Sequence, residues 1–169
     1  MAGFRCVPID TAAAERFRAT GIDDRGNAFQ RRTATGGSAP CRHCLQDAAA
    51  GEALLLGSYD LPHPQGTYWT PSPIFLHAAP CPRFAVDDTL APIILGRLVS
   101  VRSYDADENC LYDLGEVAEG RDVEAPLRRA VADPRTRFIN IHTAKPGCML
   151  CRVEAIRLGE RTPPIPLLV

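Results

Sequence analysis

Two short runs near the C-terminal end constrain the fold more than anything else in the chain. Residues 137–143 (Arg-Phe-Ile-Asn-Ile-His-Thr) and 148–157 (Cys-Met-Leu-Cys-Arg-Val-Glu-Ala-Ile-Arg) alternate apolar with polar side chains, and only Ala144-Lys145-Pro146-Gly147 separates them. A period of two marks a half-buried strand, and so short a gap between two such runs leaves room for a hairpin alone. The chain must therefore contain an antiparallel ladder. Matching the apolar faces, Ile139 and Ile141 on one strand with Met149, Cys151, Val153 and Ala155 on the other, sets Ile141 opposite Cys151 and Ile139 opposite Val153. That register predicts a three-residue loop, Lys145-Pro146-Gly147, with Gly147 in the left-handed region. It also puts Asn140, His142, Cys148, Leu150 and Arg152 on the second face, with Cys148 diagonal to His142 and within side-chain reach.

Upstream, strands and helices follow one another without regular alternation. Strands are expected at Phe4 to Ile9, Ala28 to Thr35, Glu52 to Tyr59, Pro73 to Ala78 and Gly96 to Tyr104, the last turning at Asp105 to Asn109 into Cys110 to Val117. Helices are expected from Asp10 or Thr11 through Arg18, stopped by Gly21; from about Pro40 to Ala50, stopped by Gly51; and from Val123 to Ala132 behind Asp122, with a helical turn within Asp87 to Ile93. Residues 60–72, with three prolines and the pair Tyr68-Trp69, form a long loop. This pattern predicts an α+β fold, a mainly antiparallel sheet of about six to eight strands with three or so helices, and a C-terminal β-hairpin. At 169 residues the chain is read as one domain, 1–169.

Composition narrows the function classes. Nineteen basic residues against twenty acidic ones give a net charge of −1, which removes the electrostatic basis for a nucleic-acid or acidic-membrane partner. Only Lys145 among the basic residues is lysine; the arginines are scattered, as GC-rich coding alone would produce, rather than gathered into anion clamps. No apolar run has the length of a signal peptide or a membrane span, so a cytoplasmic location is expected. Seven cysteines are an odd number, and in a reducing compartment they point to metal binding or thiol chemistry rather than to disulfides.

Three groupings carry that chemistry. His142 and Cys148, on one hairpin face, are read either as two ligands of one metal or as a thiol beside its base, the alternative being a plain polar strand face. Cys41-Arg-His-Cys44 places two thiols on one side of the expected helix, suited to a metal or a redox dithiol, or simply buried, with His43 turned to solvent. His77 and Cys81, spaced His-x3-Cys at a strand end, suit a metal or a structural histidine. By contrast Cys148-Met-Leu-Cys151 is not a metal knuckle if it lies on a strand, because residues three apart there face opposite ways. Asp105 to Glu116 imitates a calcium loop, but Cys110 stands where that loop needs glycine, so a hairpin turn is expected instead.

Gly51-Glu52 leading into Leu54-Leu55-Leu56 and Tyr59, Pro73-Ile-Phe-Leu-His-Ala78 followed by Cys81, and Ile141-His142 with Gly147-Cys148 before Arg152 together resemble a bacterial family of unknown function, DUF1203. The resemblance implies a single-domain cytoplasmic bacterial protein and carries no activity with it. It implies His and Cys at positions 142 and 148, and His-Ala with a Cys at 77 and 81; it is looser at Cys41 and Cys44. The leading expectation is a zinc-type site drawn from His142, Cys148, His77 and Cys81, with Cys44 or Cys41 as replacements. The second is a thiol enzyme with Cys148 as nucleophile, His142 as base and Asn140 orienting it. The third is a noncatalytic domain that binds an unidentified small molecule or protein through the Tyr68-Trp69 loop.

Overall fold

The computed structural model of the protein describes residues 3–156. Among the described residues, eight strands and three α-helices make up an α+β architecture in which every pair of adjacent strands is antiparallel. The strands divide between two sheets. The larger runs in the order β1 (Phe4–Val7), β8 (Met149–Ala155), β7 (Phe138–Thr143), β5 (Leu98–Tyr104) and β6 (Glu116–Glu119); the smaller runs β2 (Gln30–Thr33), β3 (Ala53–Asp60) and β4 (Pro71–His77). Arg157, the last residue of the expected final strand, lies outside the described residues.

One face of the large sheet builds the main core. Val99, Val101, Ile139, Ile141, Cys151 and Val153 share it, as a period of two demands, and α2 (Pro92–Leu95) and α3 (Glu124–Ala132) close it with Ile93, Ile94, Leu127, Ala130 and Val131. A second core lies against the small sheet. There α1 (Thr11–Thr20), capped by Asp10 through a 2.7 Å bond from the Ala13 amide and stopped by left-handed Gly21, inserts Phe17 between Phe29 and Tyr59. Gly57 makes room for this packing, since a Cβ on it would stand 2.4 Å from the Phe29 ring. No helix among the described residues is long and apolar enough to cross a membrane.

The C-terminal hairpin has the expected pairs Ile139 with Val153 and Ile141 with Cys151, and Gly147 is left-handed at φ 77°. It then departs from the expectation. A β-bulge shifts the register so that His142 faces Met149, and the loop spans the four residues 144–147, closed by Thr143 N–H to the Cys148 carbonyl at 2.9 Å. One extra residue on one strand exchanges the faces beyond it. Leu150 accordingly joins the main core, while Met149 packs into the second core instead of sharing a core face with Cys151.

Two other local expectations are corrected. The turn at 105–109 forms, with the Asp105 carboxylate accepting the amides of Asp107 and Asn109 at 3.0 and 2.8 Å. The return strand does not start at Cys110, which makes only an isolated bridge with Tyr104; pairing with β5 resumes at Glu116 after a 3-10 turn, Tyr112–Leu114. The helix expected over 40–50 is absent, and what replaces it forms the site.

Candidate metal centre

Cys41 to Cys44 lie in a tight knuckle rather than a helix. Pro40 and Asp47 form an antiparallel bridge, the Cys41 amide bonds the Gln46 carbonyl at 2.9 Å, and the Leu45 amide returns to the Cys41 carbonyl at 3.0 Å. The turn closes through Leu45 at φ 53°, a left-handed conformation that few residues other than glycine adopt. Tertiary pairing overrides the helical spacing here, because Cys41 bridges Phe75 of β4 and the Arg42 amide takes the Phe75 carbonyl at 3.0 Å. Gly51, expected to stop the helix, is left-handed but serves a turn whose amide bonds the Ala34 carbonyl.

The knuckle lies beside the end of β4, where His77 closes the strand and Cys81 follows four residues later. The Sγ atoms of Cys41, Cys44 and Cys81 and one imidazole nitrogen of His77 all lie within 4.8 Å of one another. Cys41 Sγ is 3.8 Å from Cys81 Sγ, and Cys44 Sγ is 3.4 Å from His77 Nδ1. Zinc bonds of about 2.3 Å to sulfur and about 2.0–2.1 Å to nitrogen, arranged tetrahedrally, put two sulfurs about 3.8 Å apart and sulfur and nitrogen about 3.6 Å apart. The two measured edges fit one ion at the centre.

The surroundings favour thiolate. The backbone amides of Cys44, His77 and His43 point at Cys41 Sγ, and a hydrogen bond from the Cys44 thiol, the largest influence, helps draw the Cys41 thiol down to about 4. The same sharing pushes Cys44 up, and burial raises Cys81: three crowded thiols without a cation cannot all ionise. Two guanidiniums stand close by. Arg18 donates to Cys81 Sγ at 3.3 Å and to the His77 carbonyl at 3.1 Å. Arg42, almost wholly buried, donates to the carbonyls of Met149, at 2.7 Å, and Pro40, and burial lowers it to about 10. Three thiolates, a neutral imidazole and a divalent ion leave one net negative charge, which these cations offset. His77 Nε2 stands 3.3 Å from Glu52 Oε2, angled away from a true hydrogen bond, so a carboxylate backs the nitrogen that faces away from the sulfurs.

His43 is buried, not turned to solvent; its Nδ1 contacts Cys81 Sγ at 3.4 Å and its Nε2 contacts Thr11 Oγ1 at 3.0 Å. His142 and Cys148 are not part of the cluster. The bulge removes their diagonal placement, and His142 Nδ1 bonds the Gly147 carbonyl at 2.8 Å, while its Nε2 is buried without a hydrogen-bond partner. No hydrogen bond joins the His142 ring to the Cys148 thiol among the described residues, and Asn140 donates to the His63 carbonyl at 3.0 Å rather than to an imidazole. Cys151 and Cys6 lie in the main core. Trp69 donates to the Leu61 carbonyl at 3.0 Å beneath the Arg25 guanidinium, and Tyr68 bonds Tyr112 hydroxyl to hydroxyl at 2.9 Å.

Sequence reasoning found all four clustered residues but ranked two of them as replacements. The usable signal was the pair of short spacings, Cys-x2-Cys and His-x3-Cys, taken together although Cys44 and His77 are 33 positions apart. Nothing in the sequence marked Arg18, Arg42 or Glu52, because only folding brings them to the cluster.

Residues 38–155 match the family described as "Protein of unknown function (DUF1203)", a stretch that includes all four clustered residues and ends with β8. The chain belongs to this family. DUF1203 thus covers both sheets except β1, α1 and β2, which lie before the matched stretch yet complete the fold. Neither the curated proteins nor the solved structures contain a match to this member of the family.

Proposed function

We propose that this protein is a zinc-binding domain in which Cys41, Cys44, His77 and Cys81 hold one ion in a closed, structural site. The carrying observation is the convergence of four ligand atoms within 4.8 Å, two of whose edges, at 3.8 and 3.4 Å, are close to those of tetrahedral zinc. Four protein ligands leave no open position for water or substrate, which separates a structural site from a catalytic one. Three sulfurs and one imidazole select zinc over the hard cations magnesium and calcium. The knuckle also ties distant elements together: the Arg42 carbonyl takes the Ile9 amide at 3.1 Å, the His43 carbonyl takes the Phe84 amide at 3.1 Å, and the Leu45 carbonyl takes the Ile93 amide at 3.2 Å. An ion there fixes the loop from which all these bonds radiate.

Elemental analysis of protein purified without chelator or metal-affinity tag tests the reading. About one zinc per chain is expected, falling to near zero in Cys44→Ser and Cys81→Ser and unchanged in His142→Ala and Cys148→Ser. Well-folded wild-type protein without metal, or metal that follows Cys148 rather than Cys44, overturns it.

A further inference from the structure

A second site lies apart from the metal ligands. Between the strand end at Val7 to Asp10, the loop after β3 and the bulged hairpin is a hollow of about 190 Å³. Its apolar wall is Ile9, Leu61 and Met149 with the Tyr59 ring, and its polar groups are Arg83, Arg152, Asn140, His63 and Asp10. A wider, more polar hollow of about 430 Å³ adjoins it, sharing His63 and Arg152, and gives it a mouth.

The cations in the small hollow are incompletely used. Arg83 has neither an ion pair nor a hydrogen bond among the described residues. Arg152 spends Nη2 on Glu154 at 2.7 Å, while its Nη1 has no hydrogen-bond partner among the described residues. A guanidinium nitrogen left unused is a ready donor to an anionic oxygen in the hollow. Asn140 is almost fully buried, with its amide nitrogen committed to the His63 carbonyl at 3.0 Å. That bond orients the side chain at the base of the hollow. Asp10 is the one carboxylate on the wall; Oδ1 caps α1, so its charge is fixed in place. Two guanidiniums, one of them partly neutralised by Glu154, set against Asp10 leave an excess of less than one positive charge, which suits a single negative charge better than two.

The structure assigns this hollow, we infer, as a binding site for a small monocarboxylate with a compact apolar body. A cavity of about 150 Å³ accepts benzene, so this one has room for a ring or a branched aliphatic group. Arg83 and Arg152 hold the carboxylate, and Ile9, Leu61, Met149 and Tyr59 cover the body. The assignment does not depend on the metal. The hollow is not lined by any of the four metal-cluster residues, although His43 and Thr11 connect Cys81 to its Asp10 end.

Titration calorimetry and saturation-transfer NMR with benzoate, isovalerate, benzamide and inorganic phosphate test this. Benzoate or isovalerate binds, benzamide binds at least about tenfold more weakly, and phosphate does not compete. Arg83→Ala and Arg152→Gln each weaken the bound carboxylate about tenfold or more, while Arg121→Ala, on an exposed arginine elsewhere, leaves it unchanged. Arg83 is exposed, so Arg83→Ala keeps the fold and decides the matter even where Arg152→Gln does not fold. Absence of binding by both carboxylates, equal binding of benzamide, preference for phosphate, or an unchanged Arg83→Ala overturns the assignment.

Discussion

At the scale of the residue, His142 shows how burial acts on a polar group in a strand. Its ring lies on the sheet face opposite Ile139 and Ile141, where Nδ1 meets the Gly147 carbonyl and Nε2 has no hydrogen-bond partner. Burial is the main cause of a pKa lowered from 6.5 to about 4, with Arg102 and Arg42 opposing a further charge nearby. The folded protein thus holds a neutral ring that the unfolded chain protonates below about 6.5. Between those two values the unfolded state binds more protons, so stability falls as the pH drops from about 6.5 toward about 4, by about 3 kcal/mol in all. Glutamine at this position keeps a donor for Gly147 and does not titrate. His142→Gln is therefore expected to lose less stability than the wild type between neutral pH and about pH 4.5, measured by urea denaturation at each pH. The metal cluster is the same in both proteins, so the difference isolates this imidazole. An equal loss in both would show that His142 does not titrate in this way.

At the scale of the element, the knuckle is a turn whose tightest position is occupied by the wrong residue for a turn and the right one for a core. Leu45 at φ 53° carries left-handed strain of about 1–2 kcal/mol. Its side chain is nevertheless fully buried among the residues of the main core. Truncating a buried leucine costs about 2–5 kcal/mol, more than the strain relieved. Leu45→Gly is accordingly expected to lower the denaturation midpoint with a net loss of about 2 kcal/mol, although glycine is the residue such a backbone prefers. A stabilised variant would place the strain above the packing. The elements legible in the sequence were those whose reason is local: α1 between Asp10 and Gly21, the apolar stripe of α3, and the alternation of β7 and β8. The knuckle was not, because its i, i+3 thiols suit a helix equally well and only the pairing with Phe75 decides between them.

At the scale of the whole molecule, the two sheets meet around the metal cluster. Cys41 bridges β4, Arg42 bonds the Met149 carbonyl of β8, and Ser72 of β4 accepts the Met149 amide at 3.0 Å. If the proposed ion occupies this junction, its removal frees the knuckle and returns three thiolates to protons or to mutual repulsion. Each kcal/mol is worth about 2–4 °C in a chain of this size, and loss of a structural zinc costs several, so a strong chelator is expected to lower the melting midpoint by roughly 10 °C or more. Calorimetry with and without chelator checks this, and added zinc should restore the original midpoint. A midpoint indifferent to chelation would mean that the sheets hold together without the ion.

Most of the strands, the helices α1 and α3, the antiparallel character of the fold and the hairpin's first two cross-strand pairs were determined by the sequence alone, because alternation, caps and short gaps act over a few residues. The sequence also contained every member of the metal cluster, in two short spacings. Which cysteines and histidines converge was decided only by tertiary structure. A single bulge between Ile141 and His142 took His142 and Cys148 out of register, and a single bridge between Cys41 and Phe75 brought the first pair of ligands to the second. Both are backbone events set by packing between distant segments, where a shift of one residue exchanges the two faces of a strand.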